Sequence, residues 1–116
     1  MAHVDFGIIP DSCLHLDYQV YGWPCEEEQT VSICEDGDIV LAWCNQSIGM
    51  QAFAGSLKRP LNCIDYTGVT ILPPASLPRL LEIVLPDRGK EENVPRLIGM
   101  IQEAIKNEKY MIVYGI

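Results

Sequence analysis

Hydrophobic and polar positions alternate in the opening segment, where Val4, Phe6 and Ile8 stand against Asp5 and Gly7 until Pro10 ends the pattern. This predicts a short strand with one face inward, lying at the chain start where it can pair with another terminal strand. Residues 11–30 keep no period. Gly22-Trp23-Pro24-Cys25 followed by Glu26-Glu27-Glu28 predicts a long, turn-rich excursion, with a short extended piece over residues 17–21. Alternation resumes over residues 30–34, a second strand. Glu35-Asp36-Gly37-Asp38 then supplies a turn and a helix cap, with carboxylates suited to the positive end of a helix dipole. The apolar run from Ile39 to Cys44 fits a buried strand or a helix, because so short a run is not assigned by period alone; we favour a short helix through Gln46.

Residues 49–56 alternate loosely and read as a strand, Lys58-Arg59-Pro60-Leu61-Asn62 turns the chain, and residues 64–72 supply a β-branched, aromatic strand pairing antiparallel with it. Pro73-Pro74 ends that ladder, since neither proline donates a backbone hydrogen bond. A helix follows, capped by Ser76, with Pro78 in its first turn and Leu77, Leu80, Leu81 and Val84 on one face. After a connector over residues 86–90, Asn93 caps a second helix whose Val94, Leu97, Ile98, Ile101 and Ile105 share a side. Gly99 inside it costs about 1 kcal/mol relative to Ala and predicts that another element packs close there. Tyr110-Met111-Ile112-Val113-Tyr114 is apolar on both faces and predicts a strand inside the sheet. The architecture expected is α+β: one domain over residues 1–116, a mainly antiparallel sheet of four to five strands, and two longer helices with one short helix in a single layer on it.

With 48% apolar and 21% charged residues, the 116-residue chain can bury a core without metal or disulfide support. Its formal charge of -8 argues against nucleic acid, which is bound mainly through Lys and Arg. The distribution says more. Residues 1–57 hold nine Asp or Glu and no Lys or Arg, whereas residues 58–116 hold seven acids against eight bases. Five cysteines, Cys13, Cys25, Cys34, Cys44 and Cys63, lack the C-x-x-C spacing of a zinc site. The start, Met1-Ala2-His3-Val4-Asp5, has no basic segment, and no apolar run approaches the roughly 20 residues of a membrane span. A cytoplasmic location with reduced thiols is expected, and no membrane association.

Clustered oxygens at Glu26, Glu27, Glu28, Glu35, Asp36 and Asp38 suit a hard cation, but their spacing matches no calcium loop and consecutive glutamates point apart, so no metal is expected. Cys25 beside those anions would have its thiolate disfavoured. His3 and His15 lie near Asp5 and Asp17, yet no nucleophile turn accompanies them. No cofactor motif and no catalytic residue set emerges.

Ser56-Leu57-Lys58-Arg59-Pro60, the run from Tyr66 through Pro73-Pro74-Ala75-Ser76-Leu77, the opening Asp5-Phe6-Gly7-Ile8-Ile9-Pro10 and the closing Tyr114-Gly115-Ile116 together resemble a group of short uncharacterised bacterial proteins. Small acidic proteins of this kind are similar in size and charge to immunity proteins that neutralise toxins. The expected function is a non-enzymatic domain binding a basic protein through Glu26, Glu27, Glu28, Glu35, Asp36 and Asp38, with Trp23 as an aromatic anchor. The alternative is a small enzyme or small-molecule-binding domain with a cleft beside residues 11–30; a homodimer without a separate ligand is the third.

Overall fold

The period-two pattern of the chain builds one sheet with two different faces. The computed structural model describes residues 2–35 and 37–116. In it β1 (His3–Ile8), β2 (Val31–Cys34), β3 (Ala52–Ala54), β4 (Pro60–Leu61), β5 (Val69–Leu72) and β6 (Met111–Tyr114) form an open sheet in the order β2-β1-β6-β5-β3-β4. Every pairing is antiparallel. The terminal strands β1 and β6 pair, Phe6 opposite Val113, as their positions predict. There are six strands and not four or five, because the turn segment itself pairs: Pro60 and Leu61 lie opposite Phe53 and Ala52.

Val4, Phe6, Val31, Ile33, Ala52, Leu72, Met111 and Val113 project to one face and meet α1 (Ile39–Gln46), α2 (Leu77–Val84) and α3 (Val94–Lys106) in the main core. The run at Ile39 is thus a helix. Its Trp43 fills the core edge-on to Phe6, ring centroids 6.3 Å apart. Trp43 is 1% exposed, and its indole Nε1–H donates to Asp87 Oδ2 at 2.8 Å. Val94, Leu97 and Ile101 of α3 are fully buried, while Ile98 and Ile105 are partly so. No described helix is long and apolar enough to cross a membrane.

Among the described residues no α-helix packs on the opposite face. Ile71 and Ile112 are nevertheless fully buried, covered with Ile9 by Tyr18, Leu14, Leu16, Trp23 and Cys25 from the excursion of residues 11–30. Gly7 permits this approach. A Cβ there would collide with Cys25 Sγ and stand 3.1 Å from the Trp23 ring. Residues 17–21 are a turn and not an extended piece, since Asp17 accepts Gln19 N–H through its side chain (3.0 Å) and Tyr21 N–H through its carbonyl (2.9 Å). Arg59 ties that turn to the sheet, donating from Nε to Ala54 O at 2.8 Å and from its guanidinium to Asp17 at 2.5 Å. This pair holds the Asp17 carboxyl below its usual range. Residues 64–68 likewise leave the expected strand for a turn, with Asp65 Oδ1 accepting Thr67 N–H.

Two caps differ from the sequence reading. Ser76 donates its hydroxyl to Gln51 O at 2.6 Å and Asn93 donates its amide to Ser32 O at 2.9 Å, so each docks its helix to a neighbour and does not cap it. Gly99 is exposed and an added Cβ would meet nothing within 4 Å, contrary to the expected close packing. Gly99→Ala should therefore raise unfolding free energy by about 0.5–1 kcal/mol in denaturant titrations. Asp87 behaves oppositely. Lys90, then the Trp43 indole, hold its carboxyl below the usual range. A depressed folded-state value means that its stabilisation is present above about pH 4 and vanishes as pH falls through the lower folded value. Asp87→Ala, which strands the buried indole N–H, should cost about 1–3 kcal/mol at neutral pH and flatten the acid limb of the stability curve, with Asp87→Asn milder.

Candidate interaction site

Helix α1 begins at a residue in the left-handed region, Asp38 at φ 55°, whose side chain makes no cap. Glu35 does that work. Its two carboxylate oxygens accept Val40 N–H at 2.9 Å and Leu41 N–H at 2.8 Å, satisfying two orphan donors at the positive end of the helix. It is only 8% exposed. Burial, then the neighbouring Glu35 carboxylate, push the Tyr66 hydroxyl up to about 12. Glu35 is consequently a structural group facing inward, which corrects its expected place on a docking surface.

The rest of the expected set divides. Asp36 lies outside the described residues. Asp38 is exposed beside the N-terminus of α1. Glu26, Glu27 and Glu28 are all exposed on the returning limb of the excursion, around a 3-10 turn over Glu27–Gln29. Consecutive glutamates diverge, as expected. Glu28 borders a groove of about 580 Å³ floored by Ile8, Ile9 and Val31 and walled by Arg96, Met100 and Glu103 of α3. Glu27 borders a different groove of about 310 Å³ with His3, Asp5, Trp23, Thr30 and Ser32.

Trp23 is half-buried. Its Nε1–H donates to Thr30 Oγ1 at 2.9 Å, and its ring meets Tyr114 edge-on with centroids 5.8 Å apart. Thr30 Oγ1 in turn donates to Glu26 O at 2.8 Å, so indole and acidic turn are held as one unit. Beside them Ser32 Oγ donates to Asp5 Oδ1 at 2.5 Å, and His3 Nε2 lies 3.5 Å from the same oxygen. Asp5 is the hub of this group. In a Ser-His-Asp arrangement the serine donates to the imidazole; here the serine proton goes to the carboxylate, so these three side chains do not form one. Cys25 is also unsuited to attack: its Sγ–H donates to Ile8 O at 3.3 Å, and burial, then Cys13, push the thiol up to about 11. Burial and Cys13, and not the adjacent glutamates, are the causes. Among the described residues no three His, Cys, Asp or Glu side chains converge as a metal site.

The ion pairs among the described residues consume Asp11 with Lys109, Asp17 with Arg59 and Asp87 with Lys90, besides His3 with Asp5. Glu26, Glu27 and Glu28 enter none of them. Sequence reasoning weighed Asp5 only as a carboxylate near His3, and placed no weight on Ser32 or Tyr114 as site residues. The available signal was the alternation of β1 and β6, which sends Asp5 and Tyr114 to the face away from the helices, where they pair in register. Comparison with protein-family models, curated proteins and solved structures found no match.

Glu35→Ala separates a cap from a docking group. It should lower stability by about 1–2 kcal/mol in denaturant titrations, the loss expected of a helix N-terminal acceptor, while leaving the affinity for a basic peptide unchanged.

Proposed function

We propose that the protein is a non-enzymatic binding domain for a basic protein partner, of the immunity type in which a small acidic protein neutralises a basic toxin or effector, and that it groups with the short bacterial proteins it resembles. One observation carries this reading. Three consecutive glutamates stand exposed and, among the described residues, enter no ion pair, whereas Asp11 and Asp17 are already neutralised by Lys109 and Arg59. Unpaired surface carboxylates on a chain of charge -8 favour encounter with cations and keep unlike partners away. The donation of Ser32 to Asp5 and the raised Cys25 thiol favour binding over nucleophilic chemistry. A cytoplasmic location agrees with this reading.

A second reading has its own support. The 580 Å³ groove lies between the two ends of the excursion, at Pro10 and Gln29, and α3, and its size is that of a small-molecule site.

The first reading is tested with an arginine-rich peptide and the full chain. Binding should weaken steeply between about 20 and 300 mM salt, as screening of exposed charges requires, and Glu26→Lys with Glu27→Lys and Glu28→Lys should abolish it at low salt. Equal affinity of the reversed variant and the parent would remove the proposal.

A further inference from the structure

The excursion covers only part of the helix-free face. Cys25 lies over Gly7 and Trp23 stands at the boundary, and beyond it the sheet is open. Two adjoining grooves occupy that open end and share His3 and Asp5: the 310 Å³ groove that includes Glu27, and another of about 320 Å³ that includes Tyr114, Gly115 and Ile116. Among the described residues neither is lined by a lysine or arginine. Tyr114 is 46% and Ile116 50% exposed, although both belong to or adjoin the central strand.

Resting on the binding reading above, we infer that this open end of the sheet receives an arginine-bearing segment of the partner, its guanidinium laid on the Tyr114 ring with the perpendicular Trp23 ring beside it and bonded to Asp5 and Glu27. Guanidinium chemistry fits best because it combines a planar, weakly hydrated face that stacks on aromatic rings with a fork of donors for carboxylates. The anchor is preorganised. Trp23 is held by Thr30, Tyr114 by its edge-on contact with Trp23, and Asp5 by Ser32, so little side-chain freedom is lost on docking. Backbone bonds from Gly115 N–H to Gly68 O (2.8 Å) and from Ile116 N–H to Tyr66 O (2.9 Å) fix the floor of the second groove.

The test uses the ¹⁵N-labelled full chain titrated with a peptide of alternating arginine and glycine, following the two indole N–H signals. The Trp23 signal should move on binding, while that of Trp43, sealed in the core against Asp87, stays fixed and reports that the fold is intact. Asp5→Asn with Glu27→Gln, which keeps an acceptor for Ser32, should weaken binding roughly tenfold, and Tyr114→Thr several-fold, as loss of anchor residues does; Glu103→Gln, in the other groove, should not. Binding that is lost on reversal of residues 26–28 yet indifferent to Asp5 and Tyr114, with a stationary Trp23 signal, would overturn this inference and spare the broader reading. No binding to the parent chain would end both. Concentration-dependent movement of Trp23 without peptide would assign the face to a second copy and equally overturn it.

Discussion

The first three residues of β6 must be dry on both sides, and the remainder of the molecule answers that requirement. Met111, Ile112 and Val113 are at most 1% exposed although consecutive residues of a strand face opposite ways. Three helices cover Met111 and Val113. Over Ile112 no α-helix of the described residues lies, and a largely irregular segment takes the place of one. Such a cover is costly unless its own polar groups are satisfied. Here the Tyr18 hydroxyl donates to Cys13 O at 2.6 Å, Tyr18 N–H to Gly55 O at 2.7 Å, and Arg59 clamps the turn at Asp17. A loop tethered at so few points spans less of a sheet than a helix pair would. The exposed end of the outer face, with Asp5 and Tyr114 on it, follows from that shortfall.

The same economy governs the edges. At β2 the outward Cys34 N–H donates to Glu91 Oε2 at 2.7 Å and the outward Ser32 carbonyl accepts Asn93, so side chains from the turn before α3 occupy positions that a foreign strand would need. At the other edge β4 has two residues and one is Pro60, which offers no N–H. Both devices direct association away from strand addition and toward side-chain recognition on a face.

Periodicity made the helices legible because each is amphipathic: Leu77, Leu80 and Val84, and Val94, Leu97 and Ile101, fall on buried faces as their spacing requires. It also identified β1, β2 and β6. Where the reading failed, a polar side chain had found a partner distant in sequence or closed a local ring. Ser76 and Asn93 are good capping residues by type, yet Gln51 O and Ser32 O, 25 and 61 positions away, claim them. Asp17 and Asp65 convert apolar stretches into turns by bonding to N–H groups two residues on. Gly99 carried no packing message, and only its surroundings could reveal that. Of the expected docking set, the exposed glutamates were legible from composition, whereas the inward turn of Glu35 depended on where α1 places its first N–H groups.

Charge that is lopsided along a chain need not be lopsided in space. Every base lies after residue 57, but the antiparallel return of the C-terminal half carries Arg59 and Lys109 back onto Asp17 and Asp11, which subtracts two carboxylates from the acidic half. Glu35 is withdrawn into the core as a cap. What survives as uncompensated negative surface is narrower than the sequence suggests, and it is better placed. Glu27 shares a groove with Trp23 and with Asp5, which the β1 alternation delivers to the open end of the sheet where Tyr114 stands. Anions alone attract cations without discriminating among them; anions beside fixed aromatic rings select planar ones. Folding thus trades a diffuse field for a smaller surface with shape, and the specificity of the proposed binding resides in that exchange.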